Sequence, residues 1–441
     1  MRAELRGNNN GRSCISVHNS TLLNTAHGSL SGALKGCLGS LDGGCIEKLL
    51  VHCGGALESH DVTLAQQVMW VLNNVASPVG DPNQRLTCWF LRALISRVSR
   101  VCPTPMNFNG SSALERRLMS LTELTRYVDL IPWHRFGFCA ANTAIYKAIE
   151  RYPKVHILDF SISHCMQWPT LIDALSKRPQ GPPSLRITVP SFRPQVPPLL
   201  DLPTQEIGLR LAKFAHSKNI PFQFNVMDHI SPNKPISIDP SSLNLQQDEA
   251  LVINCQHWLR YLSNEPHENK NDNNNSCSPR DDFISATKCL NPQIVVVVDE
   301  DADTSSPSLT SRITASFNYL WIPFDALETF LLKDSMQRLE YEADIGQRIE
   351  NIIGFEGCQR MERSESCGKV SERMRNGGYL SASFCEEATA EVKALLAEQA
   401  NGWGMKREGD ALVLTWKGHN SVFVTAWITN KRTNTCLDIS Q

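Results

Sequence analysis

A short apolar run that ends in an acid is the part of this sequence most suggestive of chemistry. Val155, His156, Ile157 and Leu158 lead to the carboxylate of Asp159. Such a run is typical of the first parallel strand of an open α/β sheet, where ligands bind beyond the carboxyl ends of the strands. Asp159 would face a nucleotide-type cofactor there, provided that a glycine-rich turn followed and let backbone amides approach it.

The turn that such a cofactor needs is missing. Residues 161–169 contain no glycine, and residues 189–194, after the second predicted strand, contain two prolines and no acid to hold a ribose. An acid at a strand end more often has a structural role, which we favour for Asp159. The sequence therefore predicts a fold of the cofactor-binding kind with no bound cofactor. An S-adenosylmethionine-dependent methyltransferase of small molecules is the alternative.

Two histidines and a cysteine near this strand raise the question of a metal site. His156 lies within the strand, and no further ligands accompany His164 and Cys165 at the spacing of a zinc finger. A packed core histidine is the better interpretation, and we expect no metal. The patterns of zinc proteases, serine hydrolases and P-loop proteins do not occur in the sequence. No residue is therefore predicted to be catalytic.

The composition argues against several kinds of protein. Lys plus Arg is 43 and Asp plus Glu is 45, so the net charge indicates neither nucleic acid nor an anionic membrane as the default partner. The 15 cysteines include no Cys-x-x-Cys pair, which is typical of reduced intracellular thiols. No apolar run approaches the ~20 residues of a membrane span. We expect a soluble protein of the cytosol or nucleus that does not contact a membrane.

Composition and spacing divide the chain. Residues 1–40 are rich in Asn, Ser and Gly, which predicts a disordered tail. Apolar residues recur every three or four positions over 45–152, which predicts a cap of about five helices. Residues 153–441 alternate between strand and helix patterns, interrupted by a polar segment, 264–282, that we expect to be a mobile insertion. The first five predicted strands are 155–160, 185–189, 222–226, 250–253 and 294–298.

The order of these elements predicts the fold class. Strands that alternate with helices favour a mainly parallel sheet with right-handed crossovers. Residues 412–416 and 422–427 flank a turn that we read as four residues long, which predicts an antiparallel hairpin at one end of the sheet. This is the order of class I methyltransferase folds. We therefore predict a Rossmann-like, methyltransferase-type α/β sheet with an N-terminal helical cap.

Seven arginines in the helical region form a candidate surface for DNA or a protein partner. Three share one face of a predicted helix with a fourth at its flank, and three more follow with few acids between them. A solvated face is the ordinary explanation, but a locally basic surface could also meet DNA phosphates. The seven are Arg85, Arg92, Arg97, Arg100, Arg116, Arg117 and Arg126.

Several motifs occur in the order of a known family. They are the VHIID-like Val155–Asp159, Gln167-Trp168-Pro169, leucine-rich regions around 76–86 and 205–262, PFYRE-like residues at 317–328 and 356–357, and the SAW-like Trp403, Trp416, Gly418, Ala426 and Trp427. Together they resemble the GRAS family of plant transcriptional regulators, and within it the scarecrow-like proteins, over about residues 45–428. The chain departs from that pattern at Cys165, at Gln347-Arg348 and at Thr425, where the family commonly has glycine, Arg-Glu and serine.

The resemblance implies a regulator and not an enzyme. It implies a nuclear protein of plant development that acts through other GRAS members and DNA-bound zinc-finger transcription factors, with direct sequence-specific DNA contact and homo- or heterodimers as further implications. A structural adaptor outside the nucleus is another alternative, because the basic groups at 405–407 and 430–432 are too short for a nuclear-localisation cluster. We also expect Trp416 and Trp427 to anchor the C-terminal hairpin.

Overall fold

The computed structural model describes residues 42–101, 117–227, 238, 240–241, 243–246, 248–265 and 277–429. The predicted tail, residues 1–40, lies outside the described residues, as do Arg116 and residues 266–276 of the predicted insertion. Within the described part, no helix is long and apolar enough to cross a membrane.

Helices occupy the described part of the N-terminal region, and side-chain caps fix where they begin. The Asp61 carboxylate accepts a hydrogen bond from the Leu64 backbone at 3.0 Å. Asp81 and Gln84 cap each other reciprocally, at 2.9 and 3.0 Å. These helices are α1 (Gly43–Glu58), α2 (Val62–Val75), α3 (Pro82–Val101), α4 (Leu121–Leu130) and α5 (Trp133–Ala148).

One sheet lies at the centre of the described structure. Its strands are β2 (Lys154–Asp159), β3 (Ser184–Pro190), β5 (Phe222–Met227), β6 (Glu249–Gln256), β7 (Ile294–Glu300), β8 (Tyr379–Ala382), β9 (Trp403–Glu408), β10 (Ala411–Trp416) and β11 (His419–Thr429). The order is β5-β3-β2-β6-β7-β11-β10-β9, and β8 pairs with β11. A separate short pair joins β1 (Leu118–Met119) to β4 (Leu199–Leu200).

The prediction of a mainly parallel, methyltransferase-type sheet is confirmed. Strands β5, β3, β2, β6 and β7 are mutually parallel, and β11 runs antiparallel to both β7 and β10. The hairpin does not form the edge of the sheet, however, because β9 continues the sheet beyond β10. Strand β9 was not predicted, because its residues Lys406, Arg407 and Glu408 are exposed and charged and form no apolar pattern.

The two faces of the sheet carry separate apolar cores. Val296 and Val298 of β7 face one core, and the alternate residues Val295 and Val297 face the other. Because helices cover both faces, β7 is apolar at successive positions and does not alternate with polar residues. The remaining helices are α6 (Trp168–Ser176), α7 (Thr204–Ser217), α8 (Pro279–Cys289), α9 (Leu309–Glu328), α10 (Met336–Ile349), α11 (Cys367–Asn376) and α12 (Glu386–Ala397).

Helices from the two predicted subdomains are interleaved in space. Helix α5 lies on the sheet so closely that a Cβ at Gly137 would be 2.8 Å from Val298 Cγ1. Conversely, α9 packs among the N-terminal helices, where the rings of Phe317 and Phe90 meet with centroids 5.6 Å apart. The predicted boundary at residue 152 is therefore a boundary in sequence that does not separate cap from core in the packing.

The predicted mobile insertion ends earlier than expected. Residues 279–282 form the first turn of α8, and the Ser278 hydroxyl caps that turn by accepting from the Asp281 backbone at 3.2 Å. The prediction for 264–282 was wrong at this end. Ser278-Pro279 combines a capping residue with proline at the first helical position, which is a helix start signal that a purely polar reading of the segment overlooks.

Candidate functional site

In a sheet of this kind, a ligand binds where successive connections change direction, beyond the carboxyl ends of the central strands. Here that crevice lies between β2 and β6, which pair in parallel up to Asp159 and Asn254. The Gln167-Trp168 segment approaches the same place from the start of α6. The residues singled out by the VHIID-like and Gln-Trp-Pro motifs therefore meet at one position.

The hydrogen-bonding capacity of Asp159 is used entirely within the protein. Its Oδ1 accepts from the Ser161 backbone at 3.1 Å and from Asn254 Nδ2 at 3.0 Å. Its Oδ2 accepts from Trp168 Nε1 at 2.7 Å and from the Ser161 hydroxyl at 3.2 Å. A carboxylate offers about four acceptor positions. All are occupied, and the residue is 1% exposed.

Gln167 fills the crevice with its own side chain. Its Oε1 accepts from Asn254 Nδ2 at 2.9 Å and from the Gln256 amide, and its Nε2 donates to Asn142 Oδ1 at 2.9 Å. Gln167, Asn254 and Gln256 are all fully buried. A buried, neutral amide network therefore occupies the space where a cofactor would bind in a methyltransferase, and within it Gln256 Oε1 has no hydrogen-bond partner among the described residues.

A left-handed backbone turn brings Gln167 into place. His164 has φ 50° and Cys165 has φ 64°. Residues other than glycine are strained in this region by about 1–2 kcal/mol each. Glycine at position 165 would adopt this φ without that strain. The Cys165 thiol partly offsets the strain, because it is buried and donates to Asp159 at 3.6 Å.

His156 is packed in the core, and its flanking residues in β2 are apolar and fully buried. Its Nε2 is 2.8 Å from the Thr188 hydroxyl. Burial, together with the nearby charge of Arg186, lowers the pKa of His156 to about 3. In the part of the chain that the structure describes, no group of three or more His, Cys, Asp or Glu side chains is arranged to hold a metal ion.

A buried charge cluster at the ends of β6 and β7 was not predicted. Arg260 pairs with Asp299, with Glu300 at 2.7 Å and with Glu362 at 3.4 Å. Arg348 pairs with Glu300 at 2.7 Å and also with Glu362. Burial would raise the pKa of Glu300, but the charges of Arg260 and Arg348 hold it well below its usual range. The sequence signal that could have predicted this cluster is the pair of acids at the end of the otherwise apolar β7.

Arg85 does not lie on a solvated face. It is 1% exposed and pairs with Glu328 at 2.8 Å and with Glu342 at 3.0 Å. Its guanidinium also donates to the backbone carbonyls of Gly80 and Phe324. The prediction of an open basic surface was therefore wrong at Arg85, which ties α3 to α9 and α10 inside the protein.

Arg97 and Arg100 bind the segment that follows α10. Arg97 pairs with Glu356 at 2.8 Å. Arg100 donates to the Gly354 carbonyl at 2.8 Å, and its guanidinium carbon lies 3.6 Å from the centroid of the Phe355 ring. The helical period places these arginines together as predicted, but that face of α3 is turned towards another part of the chain.

Of the other four arginines, the three that the structure describes do not form one surface with these. Arg116 lies outside the described residues. Arg92 lies over a neighbouring tryptophan ring at 5.7 Å, and Arg117 pairs with Glu340 at 2.7 Å. Arg126 is exposed and has no hydrogen bond or ion pair within the described residues. Among the six arginines that the structure describes, Arg126 is therefore the most available cation.

Two tryptophans of the SAW-like region pack together at the edge of the sheet. The rings of Trp403 and Trp416 have centroids 4.8 Å apart. Trp416 is fully buried, and its Nε1 donates to Asp325 of α9 at 2.7 Å. The Lys417 ammonium reaches the same carboxylate at 2.7 Å. The end of β10 is thereby tied to α9.

The rest of the SAW-like region forms the hairpin itself. Lys417 and Gly418 both have positive φ, 46° and 87°, and make a two-residue turn in place of the predicted four-residue turn. Trp427 is 1% exposed in the core on the opposite face, and its Nε1 donates to the Thr425 hydroxyl at 2.9 Å. Ala426 pairs with Val296 in the adjacent strand β7.

Comparison with known proteins adds to this geometry. The family model described as the GRAS domain family matches residues 46–428. Scarecrow-like protein 32 of Arabidopsis thaliana is 44% identical over 406 residues, which cover 90% of this chain and 95% of that protein. The Scarecrow-like transcription factor PAT1 of Arabidopsis thaliana is 30% identical over 396 residues, covering 86% and 75%. The crystal structure of SCL7 of Oryza sativa has the same fold, with a TM-score of 0.71 at 24% identity, and covers 87% of this chain and 99% of that one.

Proposed function

Because this chain belongs to the GRAS domain family, we propose that it is a nuclear regulator of transcription in plant development. It acts by holding proteins together, among them other family members and DNA-bound zinc-finger transcription factors, and it catalyses no reaction. The relative PAT1, which is named a transcription factor, supports the regulatory part of this proposal.

The observation that carries the proposal is the filled crevice between β2 and β6. All four acceptor positions of Asp159 are occupied, and Gln167 takes the space beyond the strand ends. A cofactor could enter only by displacing a buried network of hydrogen-bonded amides, which would leave several polar groups unsatisfied at about 1–3 kcal/mol each. The sheet therefore serves better as a rigid support than as an enzyme.

An exposed apolar patch is a suitable surface for a protein partner. It lies where the connection from α9 to α10 passes Arg85, whose guanidinium binds both the Gly80 carbonyl and Glu328. Leu332 is 78% exposed and Met336 is 68% exposed. Grouped apolar side chains on a surface are typical of protein interaction sites. The patch consists of Val79, Phe330, Leu332, Met336 and Leu339.

The apolar patch can be tested with charge substitutions. We expect the double variant Leu332→Asp, Met336→Asp to lose partner binding with little change in melting temperature, because both side chains are already exposed. Leu209→Asp on α7, where the leucine is 59% exposed, is the matched control. Affinity for a zinc-finger partner or a second family member is measured in pull-down titrations. Unchanged affinity in the double variant would exclude this surface.

The proposal as a whole can be tested with one cofactor and one DNA assay. We expect calorimetry with S-adenosylmethionine to give no saturable heat, and a DNA mobility shift to need a zinc-finger partner. Saturable heat that is lost in Asp159→Asn would restore the methyltransferase alternative. A shift by the protein alone that weakens in Arg92→Glu would show direct DNA contact. A tagged protein that stays outside the nucleus would favour the adaptor alternative.

A further inference from the structure

A polar pocket lies in the seam between α4 and α10. Its volume is about 390 Å³, which is the size of a site for a small molecule. Helix α4 lines it with positions 123, 126, 127 and 130, and α10 lines it with 337, 340, 341 and 344. Each set follows the spacing i, i+3, i+4, i+7, so one continuous face of each helix lines the pocket. Such faces are ordinarily apolar where two helices meet.

Asp344 is an unpaired acid in this pocket. It is 3% exposed, and its Oδ2 is buried with no hydrogen-bond partner among the residues that the structure describes. Burial raises the pKa of Asp344 to about 7, against a smaller opposing effect of the Arg117 charge. A buried acid without a partner destabilises the folded protein. Its place in the wall of a pocket indicates that a ligand group supplies the partner.

The same pocket has an unpaired cation. Arg126 is exposed, lines the pocket and forms no ion pair within the described residues. Arg117, in contrast, is held by Glu340 at 2.7 Å and by Glu123 at 3.4 Å. Arg117, Glu340 and Glu123 together carry one net negative charge. The pocket around them therefore favours a ligand's ammonium group over a ligand's acid group.

Two tyrosines separate the unpaired acid from the unpaired cation along the helix faces. The rings of Tyr127 and Tyr341 lie with centroids 5.0 Å apart at an interplanar angle of 40°. Tyrosine faces attract ammonium groups and cover aliphatic carbon. The pocket thus presents an anion, an aromatic wall and a cation.

We propose that the seam between α4 and α10 binds a small zwitterion whose ammonium and acid groups lie at opposite ends of an aliphatic chain, such as an ω-amino acid. Asp344 holds the ammonium group, Arg126 holds the acid group, and the tyrosine pair covers the aliphatic part. Binding bridges the two helices beside the α9–α10 connection that carries the apolar patch. The site is independent of the crevice between β2 and β6.

Titration of the full chain with individual straight-chain ω-amino acids of different lengths tests the proposal. At least one should give saturable binding in calorimetry at millimolar concentration. The analogues that lack either the amino or the acid group should bind about tenfold more weakly, because each loses one charge pair. Asp344→Asn and Arg126→Ala should each weaken binding to a similar extent. Arg210→Ala, an exposed arginine of α7 outside the seam, should have no effect.

The pH dependence gives a second readout. The carboxylate form of Asp344 binds the ammonium group, so affinity should fall about tenfold between about pH 8 and about pH 6. This dependence should disappear in Asp344→Asn. The charges of Arg117 and Glu340 act on the pKa of Asp344, and Glu123 and Arg126 also line the pocket.

Two results would overturn the proposal. One is the absence of saturable binding by every amino acid tested. The other is binding that is unaffected by both Asp344→Asn and Arg126→Ala. Because Arg126 is exposed and unpaired, its alanine variant tests the site even if the substitution at Asp344 perturbs the fold.

Discussion

Asp159 connects two nearby segments of the chain with a strand that is 95 residues away in the sequence. Its carboxylate accepts hydrogen bonds from the loop after β2, from Trp168 at the start of α6 and from Asn254 in β6. A strand-end acid in an open sheet is often interpreted as a ligand-binding group. A carboxylate has roughly four acceptor positions, and donors within the protein occupy all of those of Asp159. This favours a structural role for the residue.

Removal of Asp159 should therefore destabilise the fold. We expect Asp159→Ala to lower the free energy of unfolding by about 3–5 kcal/mol, because several buried donors lose their acceptor at once. Urea unfolding measures the change. Asp248→Ala, at a 61% exposed acid before β6, is the control and should cost less than about 1 kcal/mol. Equal effects of the two substitutions would contradict the structural role of Asp159.

Helix α3 shows how a correct helical period can mislead about exposure. Arg85, Arg97 and Arg100 lie along the helix as the sequence predicts. However, α9 and α10 bury Arg85, and the segment at 350–356 binds Arg97 and Arg100. Arginine is suited to contacts between elements because its planar guanidinium can donate hydrogen bonds to carboxylates and backbone carbonyls at the same time. Five hydrogen-bond donors on one side chain tie several elements to one helix.

The buried arginine should matter for stability and not for DNA affinity. We expect Arg85→Ala to destabilise the protein by about 3–5 kcal/mol, because the buried Glu342 would lose its hydrogen-bonded partner and keep only Arg338 at 3.7 Å. Arg92→Ala is the matched control on the same helix and should change stability by less than about 1 kcal/mol. Thermal or urea unfolding distinguishes them. A stable Arg85→Ala variant with weakened DNA binding would restore the original surface prediction.

The C-terminal hairpin depends on Trp416. This side chain is buried in the apolar core that Val296 and Val298 face, and it donates a hydrogen bond to Asp325. We expect Trp416→Ala to reduce the free energy of unfolding by about 3–5 kcal/mol, since a large buried ring leaves a cavity. Trp70→Ala, at a tryptophan that is 54% exposed, should be close to neutral. A soluble Trp416→Ala variant with an unaltered melting temperature would refute the anchoring role.

Buried histidines link the stability of the whole molecule to pH. Burial lowers the pKa of His134 and His257, and it lowers that of His164 to about 4 and that of His156 to about 3. Below about pH 6.5 the unfolded chain binds protons at these sites and the folded chain does not. The stability they contribute is therefore complete above that pH and is lost as the pH falls. Asp344 has a raised pKa, so its effect on stability has the opposite sign. It cancels about as much of the pH dependence as one of the four histidines contributes.

We expect the free energy of unfolding to fall by about 2–4 kcal/mol between about pH 6.5 and about pH 5.5. Urea unfolding across this range measures the slope, above the range in which the paired carboxylates take up protons. His156→Gln should reduce the slope, whereas His52→Gln, at an exposed histidine, should leave it unchanged. A flat profile would contradict the neutral state of the buried imidazoles.

Local patterns in the sequence were sufficient for the fold class and for most elements. The successive valines of β7 predict a strand buried on both faces, and Asp81 with Gln84 predicts the start of α3. These signals are local because hydrophobic period and capping involve residues within a few positions of one another. Strand β9 was missed because its exposed, charged residues carry no such signal.

The environment of the functional side chains could be read only from the folded chain. Asp159 and Asn254 are 95 residues apart, and Arg85 and Glu342 are 257 residues apart. Whether an acid binds a ligand or an internal donor, and whether an arginine meets DNA or a buried glutamate, depends on which distant segment packs against it. The sequence of one segment contains no information on that contact, because burial and pairing arise from the packing of the whole chain.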